Sequence, residues 1–263
     1  MAAGSMPDFS IIDTHCHLDV EAFDADRDAV WRRARANGVS DLVIPAVTAA
    51  RWPELLALCA SDPGLHPALG LHPVYLEEHS PQDLASLPDA LAASRPGAVG
   101  EIGLDFALRE LDREKQVALL DEQLQIAERF ELPVILHVRK AHDEMIRLLQ
   151  KRTLPGGTVH AFNGSIQQGE TYAEMGFKLG FGGMLTFERS RRLRQLVVQL
   201  PASALVLETD APDLTVASHQ GGRNSPEYLP EVLSALAEVR GESREQVAIY
   251  TSANARQVFD LDR

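Results

Sequence analysis

Eight short apolar runs punctuate the chain, at residues 9–13, 41–46, 66–71, 98–102, 133–137, 158–161, 178–182 and 204–208. Runs such as Leu42-Val43-Ile44 and Val134-Ile135-Leu136 are apolar at every position. That suits strands buried on both faces, as in a parallel sheet covered by helices. Between most of the runs the apolar spacing switches to the helical period. Residues 25–37 form one such stretch, stopped by Gly38. Residues 111–131 form a longer one, with Leu111, Val117, Leu120, Leu124, Ile126 and Ala127 on its apolar stripe, and 144–150, 167–175, 190–200, 230–239 and 244–259 repeat the pattern. Strands alternating with helices predict an α/β fold, a (β/α)8 TIM barrel. An open doubly wound sheet is the runner-up; the lack of a Gly-x-Gly-x-x-Gly after the first run counts against it. Residues 9–263 read as a single barrel domain and 1–8 as a flexible lead-in, in which Ala3-Gly4-Ser5-Met6 resembles a cloning scar.

Composition narrows the class. The 263 residues are 45% hydrophobic and 24% charged, ordinary for a globular protein. No apolar stretch is long enough to span a bilayer, and the N-terminus lacks the pattern of a secretory signal. Cys16 and Cys59 are too few for a disulfide framework, so a reducing, cytoplasmic setting is expected. A formal net charge of −13 argues against broad electrostatic gripping of duplex nucleic acid. It leaves open a local site where metals and a few arginines line one cleft.

The candidate chemistry falls at the ends of the predicted strands, where barrel active sites gather. His15 and His17 follow the first run in Asp13-Thr14-His15-Cys16-His17-Leu18-Asp19. On a strand, residues two apart share a face, so the pair would aim at one spot and Cys16 would turn away, making it no ligand. His72 follows the third run, Glu101 closes the fourth, His137 the fifth, His160 the sixth, and Glu208-Thr209-Asp210 the eighth. Each alone reads equally well as a helix cap or a hydrogen-bonded core residue. Together they would be costly to desolvate unless paired or metal-bound. The set suggests two divalent cations: His15, His17 and Asp210 at one, His137 and His160 at the other, and Glu101 bridging. Such a pair lowers the pKa of a shared water and clamps a phosphoryl or carbonyl oxygen. Asp210 can bind metal and also take the proton from that water. Magnesium, manganese and zinc all suit this mixed nitrogen and oxygen set.

The motifs resemble the TatD family of metal-dependent hydrolases across essentially the whole chain. The resemblance rests on Asp13–Asp19, Gly70-Leu71-His72-Pro73, Gly100-Glu101-Ile102-Gly103-Leu104-Asp105, Leu132–His137, His160-Ala161-Phe162-Asn163-Gly164 and Leu207-Glu208-Thr209-Asp210-Ala211-Pro212. It implies a metal-dependent hydrolase barrel with His15, His17, Glu101, His137, His160 and Asp210 as ligands. It also implies a deoxyribonuclease, often a 3′→5′ exonuclease on single strands, or alternatively a hydrolase of ester bonds such as those of D-aminoacyl-tRNA. Asn163 stands where the family often has serine, and 218–226 resembles the family's Arg-Asn-x-Pro loop.

Four further residues are candidates for substrate or a third ion. His72 would orient a phosphate or hold a weaker ion; the bland alternative is a bond to a loop carbonyl. Glu208 would orient a ligand histidine or help hold that ion. Arg139 and Arg223 have the fork that grips phosphate, with a surface ion pair as the alternative. Arg189, Arg191, Arg192 and Arg194 read better as a solvated helix face than as a nucleic-acid track. Phe162 reads equally as a base-stacking residue and as loop packing. The expected partner is DNA, single-stranded or at a 3′ end, or an aminoacyl-tRNA, with no membrane and a monomeric chain.

Overall fold

The structure, a computed structural model, describes residues 9–261; the lead-in expected at 1–8 lies outside the described residues. Its strands are β1 (Ile11–Asp13), β2 (Val39–Pro45), β3 (Leu65–Leu69), β4 (Ala98–Asp105), β5 (Val134–Arg139), β6 (Gly157–Val159), β7 (Phe177–Phe181) and β8 (Leu205–Leu207). Each overlaps one of the eight expected runs. All neighbours are parallel and pair in chain order from β1 to β8. The Thr14 amide and hydroxyl both donate to the Leu207 carbonyl at 3.0 Å, joining the first strand's end to the last and nearly closing a (β/α)8 barrel. Strictly consecutive order has no switch point, which excludes the doubly wound sheet.

The helices among the described residues are α1 (Arg27–Ala36), α2 (Trp52–Cys59), α3 (Pro81–Ser94), α4 (Arg113–Phe130), α5 (His142–Leu149), α6 (Ile166–Glu174), α7 (Arg191–Gln199), α8 (Leu229–Arg240) and α9 (Arg244–Phe259). Neither α2 nor α3 was among the helical stretches expected from sequence, and α3 is the longer of the two. It contains Pro88, which interrupts the helical pattern, yet it opens with Pro81 and a Ser80/Asp83 capping box that satisfies the first-turn amides.

Strand parity decides where the chemistry goes. Val43, Ala68, Ala98 and Ile135 form one buried cluster with Phe259, and Ile12 and Val206 form another with Ala255. Their strand neighbours Ile11, Leu42, Ile44, Leu69, Val99, Val134, Leu136, Leu205 and Leu207 belong instead to the main core. The first set therefore faces the barrel interior, where α9 seals one mouth, and the second faces the helical shell. Counting in twos from the inward set reaches His72, His137 and Glu208, and His160 lies one residue past Val159, which belongs to the main core. Glu101 and the His15/His17 pair are out of step with that count. A register irregularity between Val99 and Ile102 shifts β4 so that Ile102 faces the shell and Glu101 the interior. β1 ends at Asp13, before the histidine pair. The expectation that the pair sits on the strand is thus corrected. Continued parity from Ile12 would have turned Cys16 inward; the chain instead leaves strand geometry, and Cys16 is buried in the main core.

Candidate metal centre

Glu101 is the hub of the cluster. Its Oε2 lies 3.1 Å from His15 Nε2 and 3.4 Å from His17 Nε2. Its Oε1 lies 3.1 Å from each of His72 Nε2, His137 Nδ1 and His160 Nε2. Asp210 Oδ1 completes the first side, 3.6 Å from His15 Nε2 and 3.8 Å from His17 Nε2. One carboxylate thus presents each of its oxygens to a different group of imidazoles. Close strand approach makes this possible: a Cβ on Gly103 would sit 2.0 Å from the His137 carbonyl.

The ring nitrogens not facing Glu101 show which atoms are free to bind a cation. His17 Nδ1 lies 3.1 Å from the Pro45 carbonyl, which can only accept, so the ring proton is there and the Nε2 lone pair points inward. His137 Nε2 lies 3.0 Å from Asp105 Oδ2, which leaves the Nδ1 lone pair for the centre in the same way. His72 is the opposite case. Its Nδ1 accepts the Val74 amide at 3.1 Å, so the neutral ring carries its proton on Nε2 and donates it to Glu101. His72, Glu101 and His137 do converge closely enough to suggest an ion site, but this tautomer makes His72 a donor to Glu101 instead.

Electrostatics point the same way. Burial favours the neutral form of every imidazole here. It wins at His15, held well below the usual range, and at His72, lowered to about 4. At His17 and His160 it is outweighed by Glu101 and Asp210, which lift them to about 9 and about 10. Burial also opposes ionisation of Glu101, but His72, His15 and His160 hold its carboxyl well below the usual range. Asp210 is raised by burial despite His160 and His17. Without a cation the cluster therefore needs protons on imidazoles to balance its carboxylates. It still leaves Glu101 Oε2 buried with no hydrogen bond, and it brings His15 Nε2 within 3.2 Å of His17 Nε2, and His137 Nδ1 within 3.2 Å of His160 Nε2. Divalent cations would replace those protons and satisfy the converging lone pairs, so the donor set fits them.

A supporting layer holds the donors. Asp105, fully buried, bonds His137 through Oδ2 and also accepts from Arg139 at 3.0 Å. Gln116 grips the Asp105 backbone at both ends: its Oε1 accepts the amide at 2.8 Å and its Nε2 donates to the carbonyl at 3.2 Å. Gln123, two helical turns further along α4, does the same to Leu71, at 2.8 and 3.1 Å. Asp13 accepts from the His15 amide and from the Thr209 amide and hydroxyl, tying β1 to β8; burial pushes its carboxyl up to about 7. Glu208, raised by burial to about 8, accepts the Ala161 amide and lies 3.9 Å from His160 Nδ1. Asp105, Gln116, Gln123 and Asp13 were not singled out from sequence. The available signal was a pair of glutamines seven apart on the buried stripe of α4.

The other candidates fall away from the hub. Arg139 lines the cleft beside His137, with its side chain 53% exposed. Arg223 makes a bidentate pair with Asp26 at 2.8 Å and lies over the Phe23 ring; the structure does not bring it to the cluster. Arg192 and Arg194 bond the Gly164 and Leu185 carbonyls, and Arg189 lies over Phe187. Phe162 is buried against His142, Tyr172 and Phe181, so loop packing accounts for it.

Known proteins are similar to this chain in sequence and in fold. The family described as TatD related DNase matches residues 12–260. An Escherichia coli protein described as an uncharacterized metal-dependent hydrolase, YjjV, is 42% identical over 254 residues, covering 95% of this chain and 98% of its own. The crystal structure of that TatD homologue superposes with a TM-score of 0.92, covering 95% of this chain and 98% of its own. A 3′-5′ ssDNA/RNA exonuclease, TatD from Erwinia billingiae, is 34% identical over 259 residues, covering 95% of this chain and 99% of its own. With a hub carboxylate, four converging imidazoles and Asp210 at the open end of such a barrel, the chain belongs to the TatD-related DNase family of metal-dependent hydrolases.

Proposed function

We propose that the protein hydrolyses phosphodiester bonds of single-stranded nucleic acid from the 3′ end, with two divalent cations that His15, His17, Glu101, His137, His160 and Asp210 would hold. The observation that carries this reading is the division of the Glu101 oxygens between two groups of imidazoles. His15, His17 and Asp210 would hold one ion with Oε2; His137 and His160 would hold the other with Oε1. His72, with its proton on Nε2, orients Glu101. Bound cations would supply a water of lowered pKa and positive charge for the phosphoryl oxygens. Asp210, at the edge of the cleft with its side chain 14% exposed, takes the proton from the attacking water at Oδ1. Arg139, anchored by Asp105 through one nitrogen, offers the rest of its fork to a non-bridging phosphate oxygen. Phosphodiesters are favoured over carboxylic esters by this exposed guanidinium beside the hub and by the exonuclease among the relatives.

The test is a 5′-labelled single-stranded oligonucleotide incubated with protein loaded with Mg²⁺, Mn²⁺ or Zn²⁺. The expected result is a ladder shortening from the 3′ end. No ladder with any of these ions, while a D-aminoacyl-tRNA is deacylated, would replace this reading with the ester hydrolase.

A further inference from the structure

The cleft that opens over the cluster, about 560 Å³, has two unlike walls. One carries His137, His160, Asp210 and Arg139. The other is apolar and is built by Met184, Leu193 and Leu214, from the segments after β7 and β8 and from α7. Met184 and Leu214 are 37% and 39% exposed, two of the few large apolar side chains so exposed among the described residues. They are held side by side. A Cβ on Gly183 would lie 2.2 Å from the Leu214 carbonyl, so only glycine lets the two segments approach this closely.

Backbone conformation marks one residue of that wall. Seven non-glycine residues among those described have positive φ. Arg95, Glu131 and Asp260 are the C-caps of α3, α4 and α9, where that conformation commonly ends a helix. The other four, Lys140, Ala161, Asp210 and Leu214, all lie in segments following β5, β6 and β8, at the metal end of the barrel. Ala161 and Asp210 belong to the reaction centre's immediate frame. Leu214, at φ +48°, is a large aliphatic residue in a region it disfavours. Its side chain is 39% exposed and so is not fixed there by full burial in the core, and strain at such a position points to function.

We propose that Met184, Leu193 and Leu214 form the subsite that receives the base of the nucleotide whose phosphodiester is cut. An apolar ledge facing a charged phosphate site matches the two halves of a nucleotide: the base desolvates against the ledge while its phosphate meets the cluster and Arg139. The nearby aromatic rings, Phe162 and Phe181, are each only 1% exposed and are not available to stack. The ledge is therefore aliphatic, and any base with a planar apolar face fits it. Broad tolerance of sequence follows, as on other single-strand platforms where the π-face is recognised rather than the hydrogen-bonding edge.

This proposal rests on the phosphodiesterase reading, and the two can fail separately. Two 5′-labelled oligonucleotides are compared, identical except that the 3′-terminal nucleotide of one is abasic. For the unmodified protein, loss of the base is expected to raise KM about tenfold with kcat nearly unchanged. Met184→Ala and Leu214→Gly, the latter compatible with the positive φ, should raise KM for the intact oligonucleotide and abolish the distinction between the two. Equal KM for both oligonucleotides with the unmodified protein would overturn the ledge and leave the phosphodiesterase reading standing. Cleavage of neither would overturn both. If a variant unfolds, shown by its melting curve, Leu193→Ala takes its place: it should raise KM for the intact oligonucleotide and narrow the distinction between the two, and an unchanged distinction would overturn the ledge.

Discussion

The two sides of the Glu101 hub are supported by different means. On the side of His15, His17 and Asp210 the donors themselves are held by main-chain groups, with the Asp13 carboxylate behind the His15 and Thr209 amides as a side-chain support. His17 Nδ1 bonds the Pro45 carbonyl, the His17 amide donates to Ala211, and the Asp210 amide donates to His15 at 2.8 Å. On the side of His137 and His72 the supports are side chains: Asp105 behind His137, Gln116 behind Asp105, and Gln123 behind the residue preceding His72. Backbone supports follow automatically once the barrel closes, and single substitutions cannot remove them. Side-chain supports can be removed one at a time. The two halves of the centre should therefore respond to mutation in different ways.

The largest effect belongs to the residue both halves share. Glu101→Gln is expected to weaken binding at both ions by more than the roughly 100-fold upper end seen for outer-layer partners, and to abolish turnover, as read by metal titration and steady-state kinetics. Asp105→Asn should act on one half only. It removes the charge that fixes the His137 tautomer, so one ion should bind about 10–100-fold more weakly while the other is unchanged; equal weakening of both would erase the difference between the halves. Gln116→Ala should strip a partner from both the amide and the carbonyl of buried Asp105 and cost about 1–3 kcal/mol of stability, measured by denaturant unfolding of the metal-loaded protein. The smallest effect concerns Glu208 and pH. Its folded-state carboxyl is raised from 4.5 to about 8 by burial, so the fold favours the protonated form. That stability is present below pH 4.5 and lost as pH rises towards 8. Metal-free Glu208→Gln protein should therefore lose less stability across that window than the unmodified protein; an identical slope would show that Glu208 ionises freely.

The strands and the donors at their ends were legible because burial on two faces writes a continuous apolar run, and because histidines after such runs are conspicuous. Four features were not. Local parity places Cys16, rather than His15 and His17, in step with Ile12, and only the end of β1 at Asp13 reverses this. The β4 irregularity that turns Glu101 inward depends on pairing with neighbouring strands, which no single run records. Asp105, Gln116 and Gln123 act through contacts 11 to 52 residues apart in the chain, and buried glutamines on an amphipathic helix read locally as lapses in its stripe. α3 was hidden by Pro88, although its capping box lay in plain view.

The central claim, that one carboxylate joins two cations, is tested most directly by electron paramagnetic resonance of the protein titrated with Mn²⁺. The account predicts two equivalents per chain and the multiline signal of an exchange-coupled pair, lost in Glu101→Gln. An uncoupled six-line spectrum at two equivalents, or coupling that survives Glu101→Gln, would contradict it.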